Sequence, residues 1–250
     1  MGTGQTGRPG TDAVVLGRDG GRADPRQPNG NAPHGSLPAR PRDRVLRAAA
    51  LAVPPLWTAL GVRHAAGTLR HYLRGAGRPY RVDARALLAV PVVRAEVDRR
   101  LAQWRADARA VGEPGAYAAD SGWRGVLITR RGSADWWLAL RGAEYRISGT
   151  VRVHGDGSVV SDYRFQIHKS WNFDHGESEF GIPFTPFARL HETGLAHEFT
   201  VVGEVDGLVD AAGPSDVAGP ADVAGPGHAE GPRESCPREG PPVETSASEG

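Results

Sequence analysis

The sequence predicts one α+β domain over residues 42–206, with N-terminal helices followed by an antiparallel β-sheet and a short helix before the last strand. Three observations carry this expectation. Apolar residues recur at helical spacing as far as residue 111 and at a spacing of two afterwards. All six Trp, all five Tyr and all six Phe fall inside this window. Residues 1–41 are rich in Gly, Pro and Arg, and residues 207–250 form an acidic Gly/Pro/Ala tract. Neither flank holds enough apolar surface to offset the entropy of ordering, so both read as disordered tails.

Each element has its own signal. Residues 43–53 have helical character, with Val45, Leu46, Ala49 and Val53 on one face, and Pro54-Pro55 end that helix. Leu56, Leu60, Leu69, Tyr72 and Leu73 continue at helical spacing until Gly75 and Gly77 stop it. The apolar stretch Ala48–Leu60 is shorter than the roughly 20 residues needed to cross a bilayer, and it reads as a broken core helix. Asp83 is a suitable N-cap for a short helix through Leu88. Val93, Val97, Leu101, Trp104, Ala108 and Val111 alternate steps of four and three, which predicts an amphipathic helix with arginines outside. Val126–Ile128 and Trp136–Leu140 read as short strands. Glu144–Val153 alternates, with Tyr145, Ile147, Val151 and Val153 on one face; Asp156-Gly157 turns the chain, and Ser158–Ile167 returns. Trp171–Pro183 is a loop. Thr185 as N-cap and Pro186 at N1 open a short helix that Gly194 closes, and Phe199–Val205 is the last strand.

Several function classes are excluded at this stage. Cys236 is the single cysteine, so no intramolecular disulfide or cysteine-based metal site can form. There is no G-x-S-x-G, Walker A, H-E-x-x-H or dinucleotide glycine pattern, and no specific nucleic-acid motif. Residues 1–30 lack the apolar segment of a secretory signal peptide, and the chain reads as soluble. Charge is uneven: residues 41–110 carry 14 Arg against 5 acids. This basic half reads as a solvated helix surface, with nucleic acid, anionic lipid head groups or a pyrophosphate as functional alternatives. His191 and His197 read as surface residues beside the short helix.

A set of collinear motifs adds to this reading. His71-Tyr72-Leu73-Arg74-Gly75-Ala76-Gly77, then Gly149-Thr150-Val151-Arg152-Val153 with Asp156-Gly157-Ser158, then Trp171-Asn172-Phe173-Asp174, Arg189-Leu190 and Gly203-Glu204-Val205 stand in that order. Over residues 68–206 this set resembles the activity domain of the colicin M family, bacteriocins that hydrolyse lipid II. The resemblance implies that fold, a lipid-linked pyrophosphate as partner, and Mg²⁺ wherever the family chemistry is kept.

The family's catalytic signature is D-x-Y-D followed shortly by H-R, a carboxylate cluster for a cation or for acid–base steps on a pyrophosphate ester. Here the matching positions read Lys169-Ser170-Trp171-Asn172, and the His-Arg pair falls near Ser178-Glu179. A lysine in place of the first acid reverses the local charge. The loop nevertheless gathers other chemistry: His168, Asp174, His175 and Glu177 are the candidate catalytic residues of a rebuilt site. Lys169, Trp171, Asn172 and Arg189 are the candidate substrate-binding residues. His168 and His175 with one acid are an alternative metal set. The competing expectations are a phosphodiesterase-type hydrolase with a rebuilt loop and a non-enzymatic binding module of the same fold. A third is a protein that meets an anionic surface through its arginine-rich helices.

Overall fold

The computed structural model describes residues 15–16, 30–179 and 181–211. The predicted α+β class holds: helices lead, and a largely antiparallel sheet follows. The rest of the two predicted tails lies outside the described residues.

The sheet is built around a long hairpin. Strands β5 (Gly142–Val153) and β6 (Val159–Trp171) pair from Val153↔Val159 to Glu144↔His168. At the turn the Gly157 N–H donates to the His154 carbonyl at 3.0 Å, as Asp156-Gly157 predicts. Two short strands, β7 (Ser178–Glu179) and β8 (Ile182–Pro183), pair within the stretch Trp171–Pro183 expected as loop. Strand β9 (Phe199–Ala211) pairs with the far side of β6, antiparallel, over its whole length. Strands β3 (Gly115–Asp120) and β4 (Arg124–Leu127) share the outer side of β5. Ser121 joins them to it, since its N–H donates to the Ile147 carbonyl and its hydroxyl accepts from the Ile147 N–H, both at 2.9 Å. Two short parallel strands flank the sheet: β1 (Val15–Leu16) beside β3, and β2 (Tyr80–Arg81) beside β9 at Val201-Val202.

Alternation sets which face is buried. Tyr145, Ile147 and Val151 of β5 and Tyr163, Phe165 and Ile167 of β6 are all buried. Against that apolar sheet face lies the long helix α5 (Pro91–Val111), whose Val93, Val97, Leu101, Trp104 and Ala108 are buried as their spacing predicts. The Tyr145 hydroxyl donates to Glu96 of α5 at 2.5 Å, which ties helix to sheet. At Gly149 the partner strand leaves no room for a side chain. A Cβ there would stand 2.0 Å from the Asp162 carbonyl oxygen, so only hydrogen fits.

The His71–Gly77 motif has a structural account. Helix α3 (Arg63–Arg74) buries Tyr72 and Leu73. The Tyr72 hydroxyl donates to the Phe187 carbonyl at 2.6 Å, and the His71 Nε2 lies 2.8 Å from the Arg78 carbonyl. Gly77 has a φ of +62°, and a Cβ there would fall 2.4 Å from the His197 ring. Asp83 caps α4 (Ala84–Leu88), accepting from the Arg85 and Ala86 N–H groups as expected.

Four expectations are corrected. Trp136–Leu140 is not a strand: Ala134–Ala139 is helix α6, started by the Ser133 hydroxyl accepting from the Trp136 N–H. Asp135 of α6 also accepts the free His64 and Ala65 N–H groups at the start of α3, which fixes the two helices together. The expected break at Pro54-Pro55 falls elsewhere: α1 (Pro41–Leu51) ends before the prolines, which lie inside α2 (Val53–Ala59) and end no helix. The expected core face of this segment is divided: Val45 and Leu60 are each 69% exposed and Leu56 58%, whereas Leu46, Val53 and Trp57 pack against the core beside buried Ala50. The N-cap of α7 (Thr185–Glu192) is Phe184, because the Thr185 hydroxyl instead accepts from the Gly176 N–H at 3.1 Å.

Residues 30–40, which composition assigns to the N-terminal tail, run along α7. The Gly35 and Leu37 N–H groups donate to the His191 and Glu192 carbonyls at 3.2 and 2.9 Å. At the other end β9 continues past Val205 to Ala211. Among the described residues, no helix is long and apolar enough to cross a membrane.

Candidate functional site

The candidate site lies where β6 ends and the loop to α7 begins. Along β6 the odd positions face the helices, and Lys169 shares the parity of Ile167 and Trp171. Its stem is therefore aligned with the core row while the amine comes out among charged groups. Burial pushes the Lys169 amine below the usual lysine range and Arg141 adds to this, whereas Asp174, Glu144 and Glu177 oppose it.

Arg141 reaches this place through an unusual backbone. It is the one described non-glycine residue with positive φ, at +53°. The chain must turn sharply from α6 into β5 at this point, and the Arg141 carbonyl accepts from the Ile128 N–H at 2.7 Å. A left-handed conformation costs a side chain of this type about 1 kcal/mol, and here it is taken by an arginine whose charge acts on the Lys169 amine.

His168 faces the other way. Its ring stands edge-on to Trp123 at 5.9 Å, and its Nδ1, buried without a hydrogen bond, is 3.6 Å from a Glu144 carboxylate oxygen. The loop residues find separate partners. Asn172 donates to Asp174 at 2.6 Å, while the His175 Nε2 lies 2.8 Å from Glu192 of α7. Burial alone would raise the Glu192 carboxyl. The Ala32 N–H, His175 and the charge of Arg189 outweigh it and hold that group below the usual carboxylate range.

The four predicted catalytic residues are therefore not brought to one point: His168 is on one sheet face, Asp174 is near Lys169, and His175 is at α7. Glu177 is exposed. Among the described residues no group of three His, Cys, Asp or Glu could hold a metal ion, so the His168–His175 set is not assembled. Nor do the motif positions fit Mg²⁺, which needs several oxygen donors in near-octahedral array. They offer an amine, a core indole and an amide already bound to Asp174.

Two of the predicted binding residues are structural. Trp171 is buried, donates its indole N–H to the Ala139 carbonyl at 2.7 Å and stacks on Phe199. Arg189 donates through Nε to both Asp43 carboxylate oxygens at 3.1 Å and through Nη2 to the Pro38 carbonyl at 3.2 Å. Its guanidinium clasps α1 to α7. Lys169 and Asn172 remain at the site with Asp174.

Sequence reasoning missed a histidine cluster next to this loop. His34 and His197 stack at 3.7 Å, and His191 tilts against them at 5.3 and 5.4 Å. His191 is buried, which corrects its expected surface position, and His197 is half-buried. The His191 Nδ1 accepts from the Glu198 N–H at 3.1 Å, and Asn31 donates to the Glu198 carboxylate at 2.7 Å. Burial, reinforced by the other two rings, pushes the His191 imidazole down to about 4 against the pull of Glu192. Burial and His34 also lower His197. The pair at 191 and 197 across the Gly194 turn was visible in the sequence, but nothing there announced His34 as its third member.

No protein-family model and no curated protein matches the chain. Among solved structures, a truncated bacteriocin, syringacin M from Pseudomonas syringae pv. tomato, is similar at 13% identity and a TM-score of 0.38, over 62% of this chain and 61% of that one. PaeM, a colicin M-like bacteriocin from Pseudomonas aeruginosa, is similar at 15% identity and a TM-score of 0.39, over 60% of this chain and 51% of that one. The chain thus spans between half and two thirds of either bacteriocin, and the likeness is a distant one.

Proposed function

We propose that this is a bacteriocin-type domain that binds the pyrophosphate of a lipid-linked cell-wall precursor at Lys169 without hydrolysing it. The ordered motifs of the colicin M family support the scaffold and the class of ligand. The observation that carries the binding role is the half-buried Lys169 at the end of β6, where the family motif has a carboxylate, with the charge of Arg141 acting on its amine. An amine and a guanidinium together suit phosphate oxygens, one as a point charge and the other through its planar fork. An approaching pyrophosphate favours the charged form of the amine and so opposes the effect of burial on Lys169.

The test is titration of the full chain with lipid II in detergent micelles, with and without Mg²⁺. Tight binding that Lys169→Ala weakens by about tenfold or more is the expected result, the loss of one charge-assisted contact. Equal binding by that variant, or none by the parent, refutes the proposal. A second reading, hydrolysis by a rebuilt loop, is favoured by the His175–Glu192 contact, an arrangement suited to general base work. Release of a soluble pyrophosphoryl fragment that His175→Ala abolishes would establish that reading and remove the first.

A further inference from the structure

We propose that the outward face of α1 and α2 is a docking surface for an anionic lipid bilayer. The first observation is exposure. Val45, Leu51, Leu56 and Leu60 are 69, 40, 58 and 69% exposed, on two consecutive helices. Large apolar side chains scattered singly on a surface are ordinary, but these four stand within sixteen residues. The residues between them are no more polar: from Ala48 to Val62 there is no charged side chain.

The second observation is the charge around this tip. Between Asp43 and Asp83 the chain has seven arginines and no acid. Asp43 itself is buried and clasped by Arg189. Exposed Arg44 lies one residue before Val45, and exposed Arg63 opens α3 directly after α2. Arg70 of α3 reaches across to α2, its Nη2 3.5 Å from the Thr58 hydroxyl. Leucines followed by arginines, on a segment that carries no acid of its own although the Asp135 carboxylate sits at the start of α3, are the pattern of a helix that sinks about 5–10 Å into the head-group boundary while its cations meet lipid phosphates.

Charge decides the occupant. A second copy docked on the same face would bring one arginine rim against another, which is repulsive. An anionic bilayer matches the apolar tip and the rim together. This surface does not depend on Lys169, and the lipids in its test carry no pyrophosphate, so it can stand or fall apart from the reading above.

The test is flotation of the full chain with vesicles of phosphatidylcholine alone or mixed with phosphatidylglycerol. The chain is expected to float with the anionic vesicles and to be retained in part at high salt, because the apolar contribution is not screened. Leu56→Asp with Leu60→Asp should lower partitioning by at least about tenfold, since two leucines leave the acyl boundary. Both positions are exposed, so the circular dichroism spectrum should not change. Arg63→Ala, which leaves the apolar tip intact, should lower it by about fivefold, and only on anionic vesicles. Failure of the parent chain to float overturns the proposal, and so does flotation unaffected by these variants. A concentration-dependent dimer that the leucine variant dissociates, without vesicle binding, would assign the face to a second copy instead.

Discussion

Mild acid should weaken this fold before most carboxylates protonate, and the histidine cluster sets the range. In the unfolded chain the His191 imidazole titrates near its ordinary 6.5, and in the fold near 4. The folded value is the lower one, so the unfolded state binds the proton first as pH falls. Stability from this group is complete above 6.5, is lost between 6.5 and 4, and falls no further below that. At about 1.4 kcal/mol per pH unit the whole interval has a ceiling of about 3.5 kcal/mol. Glu192 and Glu198 stand close enough to meet part of the charge on an imidazolium, and water reaches the rim of the cluster, so about 1.5 kcal/mol is the working figure. His197, also lowered, acts in the same direction. Urea denaturation at steps from pH 6.5 to 4 measures the slope. In His191→Asn the side-chain oxygen can take the place of Nδ1 as acceptor for the Glu198 N–H, so that contact is kept and the titration is removed. The slope should fall without vanishing, since His197 is lowered in the same direction. A parent chain of constant stability over this range, or an unchanged slope in the variant, would refute the reasoning.

Two further predictions test residues that the structure moves from recognition to architecture. Arg189→Leu leaves the buried Asp43 carboxylate without its main partner and should cost about 2–4 kcal/mol in chemical denaturation; Asp43→Asn with Arg189→Leu should recover part of that loss. Trp171→Phe keeps the ring packed on Phe199 but orphans the Ala139 carbonyl, at about 1–3 kcal/mol. Its affinity for lipid II should match that of the parent at temperatures where both are folded, whereas loss of affinity would return Trp171 to the binding residues.

The parts of the fold legible in the sequence are those held by local periodicity. Val93 to Ala108 repeat at helical spacing and fill the core with their own face, and the β5–β6 hairpin alternates around Asp156-Gly157. The misread parts depend on contacts from elsewhere in the chain. Trp136-Trp137-Leu138 has strand-like composition, but Ser133 caps a helix there and Asp135 binds that helix to the start of α3. Val45, Leu56 and Leu60 have core-like identity, and only the placement of α1 and α2 shows that nothing described covers them. At the site, the charge reversal at Lys169 was readable, yet Arg141, whose charge acts on it, stands in the turn between α6 and β5 in a left-handed conformation. Proximity in sequence grouped His168 with His175, and the pleat separates them. His34 joins His191 and His197 only because residues 30–40 lie along α7.

The rim of the sheet has a consequence for self-association. β2 covers β9 only at Val201 and Val202, and past them Glu204 and Asp206 stand on a strand with no described neighbour on its outer side. An uncovered rim of this kind is a template on which another polypeptide can add as one more strand. Two molecules meeting there would oppose carboxylate to carboxylate, and the Arg164 hydrogen bond keeps Asp206 ionised to lower pH than usual. Fibril-like stacking through this rim is therefore discouraged at neutral pH, and acid strong enough to neutralise both side chains would lift that restraint.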